Sequence, residues 1–156
     1  MKTCGIIAEY NPFHQGHIYH IQKTKELTQC DCLIAIVSNH FTQRGLFNLL
    51  TMEDKTKLAL EAGCNLVIEL PPCYAAQSAD YFAKYAVESL SQLHIDQICF
   101  GSETNNISTL KEYSKQMEST QVVPSLSMNQ NLYTKNIRPN DILGIQYIKQ
   151  CEKYGI

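Results

Sequence analysis

Gly5-Ile6-Ile7-Ala8-Glu9-Tyr10-Asn11-Pro12-Phe13-His14-Gln15-Gly16-His17 lies near the start of a 156-residue chain, and its reading decides the fold. Thr3 to Ala8 is apolar almost throughout. That is the pattern of a strand buried on both faces, as at the centre of a parallel sheet. Asn11-Pro12 is a turn signal, so the chain must leave the strand there. Gly16 lets backbone approach a ligand where a β-carbon would collide. His17 is expected to open a helix whose free N–H groups and positive dipole end favour phosphate. His14 and His17, one turn apart, can then donate to phosphoryl oxygens as charge builds on a transferring group.

Two other readings compete for the same residues. Histidines at a helix start often only cap it or lie on the surface. His14, His17 and His20 are also spaced three apart and could share a helical face around a metal. Zinc templates, however, use Cys pairs or a His-Glu-x-x-His helix with its carboxylate in place. Neither stands beside these histidines, so phosphate is the reading taken and no metal ligand is assigned.

The length suits one domain with a real core, divided here into a core of about 1–118 and a helical part of about 119–156. Charged residues make up 18% and apolar ones 44%, ordinary values for a soluble protein. No apolar run approaches membrane-spanning length, and Met1-Lys2 runs straight into the first strand without a signal-peptide pattern. The seven cysteines are odd in number, and Cys30-Asp31-Cys32 has the wrong spacing for a zinc knuckle or a redox pair. A reduced, cytoplasmic protein without a disulfide framework is expected. The formal charge is −2, with 7 Lys/Arg against 11 Asp/Glu in residues 1–110 and 6 against 4 in residues 111–156. The small C-terminal excess is no RNA footprint. Nothing in the sequence sets an oligomeric state.

Strand and helix patterns alternate four times. Thr3–Ala8, Cys32–Val37, Leu66–Glu69 and Gln97–Phe100 read as strands. Helices are expected over His17–Leu27, Thr51–Ala62, Ser78–Leu93, Asn106–Met117 and Pro139–Tyr154. In Thr51–Ala62 a charged face (Glu53, Asp54, Lys55, Lys57, Glu61) is set against Leu58, Ala59 and Ala62, and Gly63 suits the C-terminal stop. Pro71-Pro72 closes the third strand, and Gln121–Arg138 is a polar stretch interrupted by proline. The fold class implied is α/β: a Rossmann-like parallel sheet with helices on both faces and right-handed crossovers. The HxGH turn, the Ser38–Leu50 loop, the Leu70–Tyr74 loop and Gly101-Ser102-Glu103 all follow strands, so they should converge on one ligand-binding edge.

Several blocks together resemble the tRNA(Met) cytidine acetate ligases, a branch of the HxGH nucleotidyltransferases. They are GIIAEYNPFHQGHIYH at 5–20, FTQRG at 41–45, LALEAGCNLVIELP at 58–71, AQSADYFAKYAVESL at 76–90, FGSE at 100–103 and RPNDILGIQYIK at 138–149. The resemblance implies an enzyme that uses ATP, with Mg2+ accompanying the nucleotide, to activate acetate as acetyl-adenylate. The acetyl group then passes to N4 of the wobble cytidine of elongator tRNA(Met). Carried over by motif, ATP would lie along Ile7, Ala8, Glu9, Tyr10, Asn11, Pro12, Phe13, His14, Gln15, Gly16, His17, Ile18, Tyr19 and His20. Gly101 and Ser102 would face it from the fourth strand, and Asn140 would reach it from the last helix. His14, His17, Gln43 and Arg44 are the candidate catalytic residues.

The sequence departs from the family in places. Ser38-Asn39-His40-Phe41 stands where members tend to read Ser-Gly-Asn-Phe, and Leu46-Phe47 where Glu-Pro usually follows. Met52-Glu53 stands in place of Lys-Trp. The chain also stops after the PNDILG helix, so a short form without the family's C-terminal region is expected. Weak tRNA binding by this chain alone follows from that expectation. Three alternatives stay open: a general adenylyl- or cytidylyltransferase acting on a small phosphorylated or acidic substrate, a nucleotide-binding module without full activity, and an RNA-modification partner that needs a separate chain to supply the missing half.

Overall fold

The computed structural model describes residues 1–119 and 137–156. Its centre is β1 (Thr3–Ala8), which pairs on one side with β2 (Cys32–Ser38) and on the other with β4 (Gln97–Ile98). β3 (Leu66–Leu70) lies outside β2, giving a fully parallel sheet of order β3-β2-β1-β4. The register runs from Thr3 opposite Cys32 to Ala8 opposite Val37. Neighbours on both sides and helices on both faces leave no room for polar side chains, hence the unbroken apolar runs.

Side chains alternate between two cores. Cys4, Ile6, Leu33, Ala35 and Val37 face Ile21 of α1 (Gln15–Thr28) and Ala59 of α2 (Met52–Ala62). Ile34, Ile36 and Leu70 face Phe82, Ala83, Ala86, Val87 and Leu90 of α4 (Ala79–Ser91). Gly5 permits that approach, since a β-carbon there would lie 2.7 Å from a Leu90 methyl. Tyr147 of α6 (Pro139–Tyr154) joins this second core. α5 (Ile107–Ser119) packs on α6 through Leu110, Ile142, Ile145 and Ile148. The chain winds outward from β1 to β3, then returns across the sheet to β4. The reversal puts the topological switch point at the carboxyl ends of β1 and β4.

Three elements differ from the sequence reading. α1 opens at Gln15 with His14 as its cap, two residues before His17. Pro71-Pro72 does not simply stop β3. Pro72 opens a short helix, α3 (Pro72–Ala75), because proline has no N–H to lose at a first helical position. β4 has two residues rather than four, although the Cys99 N–H still donates to the Gly5 carbonyl at 2.9 Å. Of Gln121–Arg138, only Ile137 and Arg138 are among the described residues. All seven cysteines are free, and burial pushes the Cys4 thiol up to about 12. No helix among the described residues is long and apolar enough to cross a membrane.

Candidate functional site

The chain leaves β1 through Tyr10, which is fully buried with φ +50°. A non-glycine residue in this left-handed region costs on the order of 1–3 kcal/mol. Burial of the ring offsets it: Tyr10 packs edge-on against Phe13 at 4.8 Å and against His17 at 4.9 Å. The turn delivers His14 to the N-cap of α1, where its Nδ1 accepts the Gly16 N–H at 3.1 Å. His17 Nδ1 in turn accepts the His14 N–H at 3.2 Å. This is a capping box made of two histidines, with rings stacked 3.9 Å apart.

The box fixes the chemistry of both rings. Each Nδ1 is an acceptor, so in the neutral imidazole the proton sits on Nε2, as a donor not used by the cap. Burial, then the neighbouring His14 and His20, pull His17 down to about 4, so it is a neutral donor at pH 7. Burial lowers His20 too, and its Nε2 is buried without a partner among the described residues. Two of the backbone N–H groups expected to be free at the helix start have partners within the cap. The Gly16 N–H goes to His14 Nδ1 and the His17 N–H to the His14 carbonyl. Each imidazole keeps its Nε2 outside the cap. Gly16 has a second role as well, because a β-carbon there would lie 2.9 Å from His14 Cε1.

The loop after β2 folds back as a small hairpin. Phe41 bridges Phe47, the Thr42 N–H donates to the Leu46 carbonyl at 2.8 Å, and Gly45 turns at φ +77°. Asn11 ties the hairpin to the HxGH turn, accepting the Leu49 N–H at 2.7 Å and donating to the Phe47 carbonyl at 3.3 Å. Glu9 makes a second tie, its carboxylate accepting the Gln43 N–H at 2.5 Å. The Gln43 amide nitrogen donates to the Gln77 carbonyl, so Gln43 braces the hairpin against the α3–α4 junction. Arg44 stands exposed at the tip.

On the other side of β1, Ile98 is level with Gly5, and three residues later Gly101 is exposed with open space around it. Ser102 Oγ accepts the Asn105 N–H at 2.9 Å. Glu103 caps α6 rather than the helix that follows it in sequence, accepting the Asp141 N–H at 3.0 Å and Asn140 Nδ2 at 3.0 Å. Buried Asp141 answers by accepting the Thr104 N–H at 3.0 Å. The start of α6, with Asn140, is thus held against the Gly101–Thr104 loop.

A stacked pair of histidines on a strand-to-helix turn, at the switch point of a parallel sheet, is the arrangement expected of a nucleotidyltransferase. The sequence matches the HIGH Nucleotidyl Transferase family over residues 1–156. The chain belongs to that family. This HIGH nucleotidyl transferase is 41% identical over 169 aligned residues to the tRNA(Met) cytidine acetate ligase of Geobacillus sp. (strain WCH70), covering 96% of this chain and 42% of the relative. It is 38% identical to the protein of that name from Bacillus subtilis (strain 168), over 95% and 41% respectively. It thus spans less than half the length of these relatives. The crystal structure of Thermotoga maritima TmcAL bound with alpha-thio ATP has the same fold, with TM-score 0.82 and 31% identity, covering 99% of this chain and 44% of that one.

The structure brings His14, Gly16 and His17 together with the hairpin bearing Gln43 and Arg44, and Asn140 together with Glu103. Tyr10, another of the residues expected along the nucleotide, is fully buried, its ring packed against Phe13 and His17. The structure overturns the placement of Lys55 on a charged outer face of α2. Lys55 is fully buried, its Nζ donating to the carbonyls of Glu9 at 2.7 Å, Ser38 at 2.8 Å and Asn39 at 3.4 Å. The sequence held the signal: Lys55 precedes Leu58 and Ala59 by one turn, on the apolar stripe. Asp141 carried no such signal, because its partner Thr104 is 37 residues away.

Proposed function

We propose that this HIGH nucleotidyl transferase binds ATP with its phosphates at the Nε2–H donors of His14 and His17. It uses that ATP to activate a small carboxylic acid, acetate being the candidate. In the step proposed, a carboxylate oxygen of the acid attacks the α-phosphorus of ATP. The bond to the β-phosphate oxygen breaks, and acyl-adenylate and pyrophosphate form. The two imidazoles keep hold of the departing pyrophosphate oxygens as charge develops there. Arg44, on a hairpin tied to the same turn, is suited to grip phosphate or carboxylate with a planar pair of N–H bonds. No group of three His, Cys, Asp or Glu suited to a metal occurs among the described residues. Mg2+, which is usually bound through substrate phosphates, would accompany the nucleotide.

The observation that supports this reading is the histidine capping box, in which each Nδ1 accepts a backbone N–H and leaves Nε2 to carry the ring proton. The relatives named tRNA(Met) cytidine acetate ligase support extending the reading to transfer of the acetyl group to a cytidine of tRNA(Met). Pyrophosphate release from ATP, measured with acetate and a panel of other small acids, tests the activation step. Release dependent on acetate and abolished in a His14→Ala, His17→Ala double variant is expected. Release driven instead by a phosphorylated alcohol would reassign the chain to general adenylyl or cytidylyl transfer. ATP binding without turnover would make it a binding module.

A further inference from the structure

We infer that Lys55 is a positioning residue for this site: its buried ammonium ties together the carboxyl ends of β1 and β2 and so sets the two loops that carry the histidines and Arg44. The functional part of this inference rests on the proposal that those loops hold ATP. The last β1–β2 pair is Ala8 with Val37. One step further the strands diverge, Glu9 into the HxGH turn and Ser38-Asn39 into the hairpin. Their carbonyls converge on Lys55 Nζ at 2.7, 2.8 and 3.4 Å. The base of the hairpin joins the same group: the Asn48 side-chain amide donates to the Ser38 carbonyl at 3.4 Å and to the Asn39 carbonyl. The Asn48 N–H closes the hairpin onto the His40 carbonyl at 3.0 Å.

An apolar side chain at position 55 would leave those carbonyls short of a donor, and an unpaired buried acceptor is destabilising. A buried ammonium is costly too, which is why lysine is seldom kept in a core. Burial outweighs the attraction of the Glu9 carboxylate and pulls Lys55 down to about 8, which leaves it mainly charged at pH 7. The cation is thus retained at a cost, at the point from which both site loops depart.

Trypsin reads the loop geometry directly, because Arg44 is the one basic cleavage point between residues 26 and 54. The full chain with Lys55→Met or Lys55→Gln is compared with wild type under native conditions for cleavage after Arg44, cooperative melting and ATP affinity. The Met variant should be cut after Arg44 roughly tenfold faster through local opening. It should bind ATP roughly tenfold more weakly, about 1.4 kcal/mol. The Gln variant, which retains N–H donors, should fall between it and wild type. Unchanged cleavage at Arg44 overturns the inference. So does faster cleavage at all sites alike, or failure of both variants to fold, since either makes Lys55 a global stabiliser only. If wild type itself does not bind ATP, the nucleotide reading fails, while Arg44 cleavage still decides the positioning.

Discussion

His14 uses Nδ1 to accept a backbone N–H, so its remaining ring proton lies on Nε2. Gly16 makes that arrangement possible, because alanine there would put a β-carbon 2.9 Å from His14 Cε1. Gly16→Ala should therefore displace the ring and cost the cap about 1 kcal/mol. Alanine's better helix propensity returns about the same amount. The urea midpoint should barely move, while ATP affinity by calorimetry falls roughly tenfold, about 1.4 kcal/mol. Unchanged affinity would remove His14 from the site. His17 gives a pH dependence of definite sign. Its folded value of about 4 lies below the ordinary 6.5, so the fold favours the neutral ring. The stability this contributes is complete above pH 6.5 and is lost as pH falls from 6.5 through 4. Glutamine at position 17 can still accept the His14 N–H as a capping box requires. The melting temperature of His17→Gln should thus fall less than that of wild type between pH 6.5 and 4. Parallel curves would show that His17 titrates normally in the fold.

At the scale of elements, α6 is the joint between the last strand and the end of the described chain. Gly144 lies where it crosses Phe100, and a β-carbon would sit 2.6 Å from the ring's Cε2. The ring cannot simply move aside, because it also packs edge-on against Tyr147 at 5.5 Å. Gly144→Ala should cost about 1–3 kcal/mol by overpacking, despite alanine's helical advantage. A urea midpoint equal to or above wild type would mean that α6 shifts without strain. The strands and long helices were legible because their periodicity is local: β1 and α6 were read with the bounds the structure shows. Other features were not local. A lysine read as one more charge on α2 became its most deeply buried side chain once two strand ends supplied carbonyls. Glu103 caps not the helix that follows it but one that begins 36 residues later, at Pro139. Such partners are brought together by topology, which hydrophobic spacing does not encode.

At the scale of the whole molecule, the question is how a protein of this charge would engage a polyanion. The HxGH turn could be read as a candidate phosphate site from the sequence because strand, turn and helix start are contiguous there. An RNA surface has no such contiguous signature and must be argued from charge. The chain carries 13 Lys/Arg against 15 Asp/Glu, and residues 1–110, which include the candidate phosphate site, have 7 against 11. One of those seven, Lys55, is buried against carbonyls and unavailable to a phosphate backbone. RNA affinity comes largely from releasing counterions as several phosphates are neutralised together, and it falls steeply with salt. With few exposed cations, this chain should bind elongator tRNA(Met) no more tightly than nonspecific contacts do, with Kd above roughly 10⁻⁶ M at physiological salt. ATP bound as proposed, at the two histidines, would not depend on such a surface, so its binding should persist where tRNA binding is lost. Gel shifts with the tRNA, run beside ATP calorimetry across a salt series, separate the two. Submicromolar tRNA binding near physiological salt would show that the fold concentrates its few cations into an RNA surface that net charge does not reveal.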